Sequence, residues 1–198
     1  MRALLKFSRA IDALNAFVGR WVIWLILAST VISGVNAVVR KAFNVSSNAY
    51  LEVQWYLFAA AFLLAAGYTL LHGEHVKIDV ISSRLTKRKQ IWIDIIGFSL
   101  FLTPVCLVIL YYGIPFFLQG FRSGEMSSNA GGLVRWPVYL MMPLGFGLLL
   151  LQGLSELVKR IAFLQGLIPD PTLKVVAKTP EEELAEEIRR QAERDART

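Results

Sequence analysis

Four long apolar runs alternate with short polar stretches along the 198-residue chain. Trp21 to Val39, Val53 to Leu71, Ile95 to Phe121 and Pro137 to Leu154 contain no Asp, Glu, Lys or Arg. Roughly 20 mostly apolar residues are enough for a helix to cross a ~30 Å hydrocarbon layer. Inside that layer every backbone N–H and C=O needs a partner within the segment, which makes each run a helix. The pattern therefore predicts an all-α membrane protein with four transmembrane helices, at 21–39, 53–71, 95–118 and 137–156. In the first run Ser29 and Ser33 stand four apart, and in the second Ala61 and Ala65 do the same, so each helix offers a small-residue stripe for close packing. The third run exceeds the bilayer need. Pro104 predicts a kink inside it, and Gly113 with Pro115 predicts that regular helix falters near its outer end. Pro137 suits the first turn of the fourth helix, where its missing N–H is harmless.

Weaker periodicity flanks the spans. Leu4, Phe7, Ile11, Leu14 and Val18 share one helical face, with Arg2, Lys6, Arg9 and Asp12 off it. That spacing predicts an amphipathic helix over 3–18 lying in the membrane interface; the alternative is a plain extension of the first span. Val76, Val80, Ile81 and Leu85 in the basic connection 72–90 predict a second surface-lying piece. A signal peptide is not expected at the N-terminus, because the apolar run starts late and no small-residue cleavage site follows it. After Gly166 the composition changes, with Pro169 and Pro171 as a break. Thr179 then resembles an N-cap, Pro180 a first helical residue and Glu181 to Glu183 an acidic first turn. The chain thus divides into a membrane domain, 1–165, and a charged cytoplasmic tail, 166–198, whose helix carries a Glu186–Arg190 pair.

Composition agrees: 55% of residues are hydrophobic and 18% charged, with a mean hydropathy of +0.51. The net charge of +6 lies largely beside the spans, so it bears on topology rather than on nucleic acid. The segment up to Arg20 has four Lys/Arg, the connection after span two has five, and the segment from span four to Lys178 has four; the other two loops have two each. The basic segments belong on the cytoplasmic side. Both termini are then cytoplasmic, and the loops around Arg40–Asn48 and Arg122–Arg135 face the other way. Trp21, Trp24, Trp55, Trp92 and Trp136 fall near predicted helix ends, as interfacial aromatics do. Cys106, alone in an apolar run, is a packing residue and says nothing of redox compartment.

Candidate chemistry is sparse. No ionisable residue falls at mid-depth of a span; Glu52, Glu74 and Glu156 all lie near span ends. A self-sufficient proton-coupled exporter would need such a residue within the membrane. A haem between helices needs two facing histidines, whereas His72 and His75 share one helix end. His72, Glu74, His75 and Asp79 are better explained as polar groups at an interface than as metal ligands. Phosphate-loop, nucleophile–base and nucleic-acid motifs are not found. The residues thus point to no enzyme, no cofactor and no metal, and leave a membrane-embedded structural subunit. A small self-assembling channel or exporter lined by Ser29, Thr30 and Ser33 is the alternative. Glu52 is a carboxylate near a helix N-terminus, and with Gln54 and Trp55 beside it, a candidate contact to another subunit or to lipid. Glu125 in the outer loop is a similar candidate towards a periplasmic partner.

The order of several short motifs adds a resemblance. Glu52-x-Gln54-Trp55-Tyr56 is followed, after the apolar run, by His75-Val76-x-Ile78-Asp79. Further on come Gly124-Glu125-x-Ser127, Gly131-Gly132-Leu133, Pro143-Leu144-Gly145-Phe146 and Leu151-Gln152. Over roughly residues 10–165 the chain resembles the DctQ-like small membrane subunit of TRAP (tripartite ATP-independent periplasmic) transporters. The resemblance implies four membrane helices plus interfacial ones. It implies a large membrane transport subunit that the small one braces, and a periplasmic substrate-binding protein as third component. It implies sodium-driven uptake of a small organic anion across the bacterial inner membrane, with the substrate and sodium sites in other subunits. Glu52, Gln54, Trp55, Tyr56, His75 and Asp79 become candidates for the subunit or lipid interface. Arg122, Glu125, Ser127 and Arg135 become candidates for the periplasmic contact.

Overall fold

A computed structural model describes residues 1–44, 47–74 and 85–171. His75, Asp79, most of the surface-lying piece expected after the second span and the charged helix expected after Thr179 lie outside these residues. Among the described residues, four helical stretches are long and apolar enough to cross a membrane. They are α1 (Arg2–Phe43), α2 (Asn48–Leu71), a composite third stretch, and α5 (Trp136–Leu164). The third joins α3 (Lys87–Ile96), a π-helical segment (Gly97–Leu102) and α4 (Thr103–Ser123) without a break.

The N-terminal segment is helical, but it is not a separate interfacial helix. α1 runs through 42 residues as one piece. Gly19, between the two expected segments, is used for packing: a Cβ there would lie 2.2 Å from the Tyr68 ring. α1 ends at Asn44, in the left-handed conformation, whose N–H bonds the Arg40 carbonyl. This is a common way to close a helix.

The third stretch passes its prolines without losing helical continuity. A proline ring collides with the carbonyl one turn back in a regular α-helix. Here the turn before Pro104 widens into the π segment, and Thr103 bonds the Phe98 carbonyl through both its N–H and its hydroxyl, the latter at 2.8 Å. Helical continuity is kept by local widening, a known use of π turns. Nor does the helix falter at Gly113 and Pro115. α4 continues to Ser123 because α5 supports it: Gly113 sits opposite Met142, and the Phe116 and Tyr139 rings meet at 4.4 Å. Pro137 lies in the first turn of α5, as expected.

α1, α2 and α5 pack on one another, and α4 is attached mainly through α5. Helices in lipid gain little from hydrophobicity and rely on close approach and interhelical hydrogen bonds. Both devices occur. A Cβ on Gly145 would lie 2.6 Å from the Leu63 carbonyl oxygen, so α5 touches the α2 backbone itself. Ala60 and Ala61 are buried on α2, and Ser29 of α1 donates to the Gln54 carbonyl at 3.1 Å. Ser33, paired with Ser29 in the sequence, is exposed. Cys106 is buried.

Candidate functional site

Two polar clusters stand at opposite ends of the bundle. The outer one grows from the first turns of α2. Asn48, Glu52 and Tyr56 recur every four residues and therefore share a face. That face meets the connection between α4 and α5, which forms a short hairpin with a bridge between Met126 and Val134. Asn48 Nδ2 donates to the Ala130 carbonyl at 3.0 Å, and the Tyr56 hydroxyl to the Val134 carbonyl at 3.1 Å. Between them the buried Glu52 carboxylate accepts from three donors. Oε1 takes the Ser127 hydroxyl and Asn129 Nδ2, the latter at 2.9 Å; Oε2 takes the Leu133 N–H at 2.6 Å. Gly131 supplies the left-handed residue the turn requires, at φ 71°. Gly132 leaves room for the carboxylate: a Cβ there would lie 2.9 Å from Glu52 Oε1.

Beside the cage, Glu125 Oε1 accepts from Arg135 at 3.2 Å and from the Tyr139 hydroxyl at 3.1 Å. Glu52 and Tyr56 thus belong with Ser127, Glu125 and Arg135 in one cluster, although the sequence suggested two separate contact groups. Arg122 stays exposed at the end of α4, and Met126 is exposed on the hairpin. Trp55 points outward, with its ring edge against Tyr56 at 4.4 Å. Gln54 Nε2 is buried and lacks a hydrogen-bond partner among the described residues.

The inner cluster ties α1, α5 and α3 together. Asn15 donates to Gln152 Oε1 at 3.0 Å, and Gln152 Nε2 donates in turn to Asp12 at 2.9 Å and Glu156 at 3.2 Å. Asp12 also accepts from Ser155 at 2.9 Å and from Lys159 at 3.1 Å; Ser155 and Ser8 hydroxyls meet at 2.7 Å. Glu156 is held by Lys159 and Arg160, and Arg160 continues to Asp94 at 2.9 Å. The Arg160 guanidinium lies 4.6 Å from the Phe98 ring centre, a cation–π distance. Buried charges are tolerable only when paired and hydrogen-bonded in this way. Gly67 makes space for Asn15, since a Cβ there would lie 2.2 Å from Asn15 Oδ1.

The sequence signal for this inner cluster is the polar end of the fourth span. Gln152, Ser155, Glu156, Lys159 and Arg160 fall on one face of α5, and Ser8, Asp12 and Asn15 on one face of α1. A polar stripe on a helix end fits water as well as a partner helix, and only packing distinguishes the two. Among the described residues no group of three or more His, Cys, Asp and Glu converges as a metal site. His72 bonds the Tyr68 carbonyl at 3.1 Å and stacks against the Tyr68 ring.

Four apolar helical stretches, tied to one another by polar groups near their ends, define a multi-pass membrane protein. The family model for tripartite ATP-independent periplasmic transporters, DctQ component, matches residues 29–163, well over half of the chain. The chain belongs to that family and is the small membrane component of a TRAP transporter. Comparisons with curated proteins and with solved structures give no match.

Proposed function

We propose that this chain is the scaffold subunit of a sodium-coupled secondary transporter that imports a small organic anion. A periplasmic binding protein delivers the substrate, a large membrane subunit moves it, and this chain braces that subunit without a substrate site of its own. The observation that carries the reading is where the charges go. Glu52 is consumed in shaping the outer hairpin, and Asp12, Glu156 and Asp94 in tying helices at the inner end. A carboxylate that translocates an ion must be able to exchange its partners, whereas these serve as fixed ties. The outer surface is correspondingly apolar and suited to lipid and to another membrane protein.

The basic loops put both termini on the cytoplasmic side of the bacterial inner membrane and the 122–135 hairpin on the periplasmic side. In that orientation Arg122, Glu125 and Arg135 are offered to the binding protein, with Ser127 fixed beneath them on Glu52. Gln54, Trp55, His75 and Asp79 are the residues assigned to the subunit or lipid contact.

Reconstitution tests the reading. Liposomes holding this chain and its large subunit should accumulate an organic anion only when binding protein and an inward sodium gradient are both supplied. Liposomes holding this chain alone should take up nothing. Uptake by the isolated chain, or a defined single-channel conductance from it, would overturn the assignment.

A further inference from the structure

Among the described residues α2 and the third stretch hardly touch, and α5 floors the space between them. The result is a groove of about 560 Å³. Its outer end is at Phe146, next to the Gly145–Leu63 contact and so near mid-depth of the bundle. Its inner end is marked by Asp94 and Arg160. From Phe146 to Arg160 it runs about 21 Å at roughly 1.5 Å per residue. The walls between are apolar, and the rim residues Phe101 and Val105 are exposed. Gly97 helps to form the groove by lacking a side chain. Its φ of −58° is ordinary helix, and a Cβ there would meet nothing within 4 Å. Neither backbone conformation nor close packing requires a glycine at that place; what it leaves is open space.

Size, polarity and charge select the occupant. An apolar cavity of about 150 Å³ holds one benzene, so about 560 Å³ holds roughly twenty carbon atoms. A helix about 10 Å across and 21 Å long would fill on the order of 1,500 Å³. The groove therefore suits one fatty-acyl chain and is too small for another helix. One leaflet contributes about 15 Å of hydrocarbon, so a chain entering at the inner surface ends near mid-depth, where the groove ends. The remaining length lies beside Asp94 and Arg160, where such a chain gives way to polar ester groups. One to two turns further back along α3, Arg88 and Lys89 are exposed at the helix N-terminus. Exposed cations at a membrane surface and a helix N-terminus both favour a phosphate.

We infer that this groove is a lipid-binding site. It takes one acyl chain of a phospholipid from the leaflet at the inner end, with the phosphate at Arg88 and Lys89. The bound chain supplies the packing that α2 and the third stretch do not give each other. The site lies wholly within this chain and does not depend on the transporter reading above.

Native mass spectrometry of the full chain in mild detergent tests this, with phosphatidylglycerol as the added probe. Gly97→Phe, and the milder Gly97→Leu, place a side chain in the groove. Gly34→Phe makes the same change on α1, where a Cβ also meets nothing within 4 Å. The parent and Gly34→Phe should keep one phospholipid at collision energies that strip the rest. Both Gly97 variants should keep it several-fold less, and so should Arg88→Ala combined with Lys89→Ala. Adding the probe to delipidated protein should raise the melting temperature of the parent and of Gly34→Phe by several degrees and leave the Gly97 variants unmoved. Equal retention by parent and Gly97 variants would mean annular lipid only and overturns the site. A parent that retains no phospholipid overturns it as well. Both results leave the transporter reading standing.

Discussion

Glu52 illustrates how much one side chain decides at the scale of the residue. Its carboxylate replaces water for three donors of the hairpin, the Leu133 N–H among them. A buried donor that loses its acceptor is expensive, whereas an acceptor swapped for a neutral one of the same shape loses less. Glu52→Ala should therefore open the hairpin, seen as faster protease cleavage within 124–135 and a melting temperature lower by several degrees in detergent. Glu52→Gln should fall between this variant and the parent. Equal protease resistance in all three would mean the hairpin holds its shape without the carboxylate. Gly132→Ala should resemble Glu52→Ala, because its Cβ would meet both Ser127 and the carboxylate. Gly145 presents the same argument without charge. Its added methyl would meet backbone rather than a side chain that can swing away, so Gly145→Ala should cost about 1–3 kcal/mol by overpacking. Denaturant titration in mixed micelles reads this. A variant as stable as the parent would show that α2 and α5 can part at no cost.

At the scale of the element, the inner network turns two helix ends into one unit. Arg160 and Glu156 are both almost fully buried, and Arg160 also holds Asp94 of α3. Removing one partner of a buried pair leaves an uncompensated charge, typically about 3–5 kcal/mol, while replacing both by apolar groups is often neutral. Arg160→Leu should accordingly destabilise the protein strongly, and Arg160→Leu combined with Glu156→Leu should recover most of the loss. Unfolding midpoints of the two variants decide the matter: a double variant as weak as the single one would show that the ties to Asp94 and Phe98 matter more than the pair. The π segment belongs to this scale too. It places Phe98 under Arg160 while passing Pro104 without a break, so the proline marks where the third stretch changes its winding.

At the scale of the whole molecule, topology can be measured with thiol chemistry on the protein as it stands. Cys106 is buried, so the native thiol should stay silent towards a membrane-impermeant maleimide. Ser128→Cys on the hairpin should label in intact spheroplasts, and Ala3→Cys only after permeabilisation. The reverse pattern would invert the orientation drawn from the basic loops. That orientation is what lets the hairpin face a periplasmic partner, so this experiment bears directly on the proposed function.

Much of this architecture was legible because its causes are local. Runs of eighteen or more uncharged residues must become helices in a hydrocarbon layer, whatever surrounds them. The number of spans, the first-turn place of Pro137, the interest of Glu52 and the family resemblance all follow from such short-range patterns. Pairings between distant segments were not legible. Nothing local says that Glu52 meets Leu133, or that Asp12 meets Lys159, because a polar stripe at a helix end looks alike whether water or another helix satisfies it. The unbroken α1 and the persistence of α4 past Pro115 belong with these, since packing at Gly19 and Gly113 outweighs local helix-breaking tendencies. The sequence by itself determined that the chain spans a membrane four times and which family it resembles, since backbone desolvation acts residue by residue. Only the tertiary structure decided which polar residues spend their hydrogen bonds inside the chain and which face of α1 is buried in the bundle, because satisfaction of a buried group depends on what the fold brings beside it.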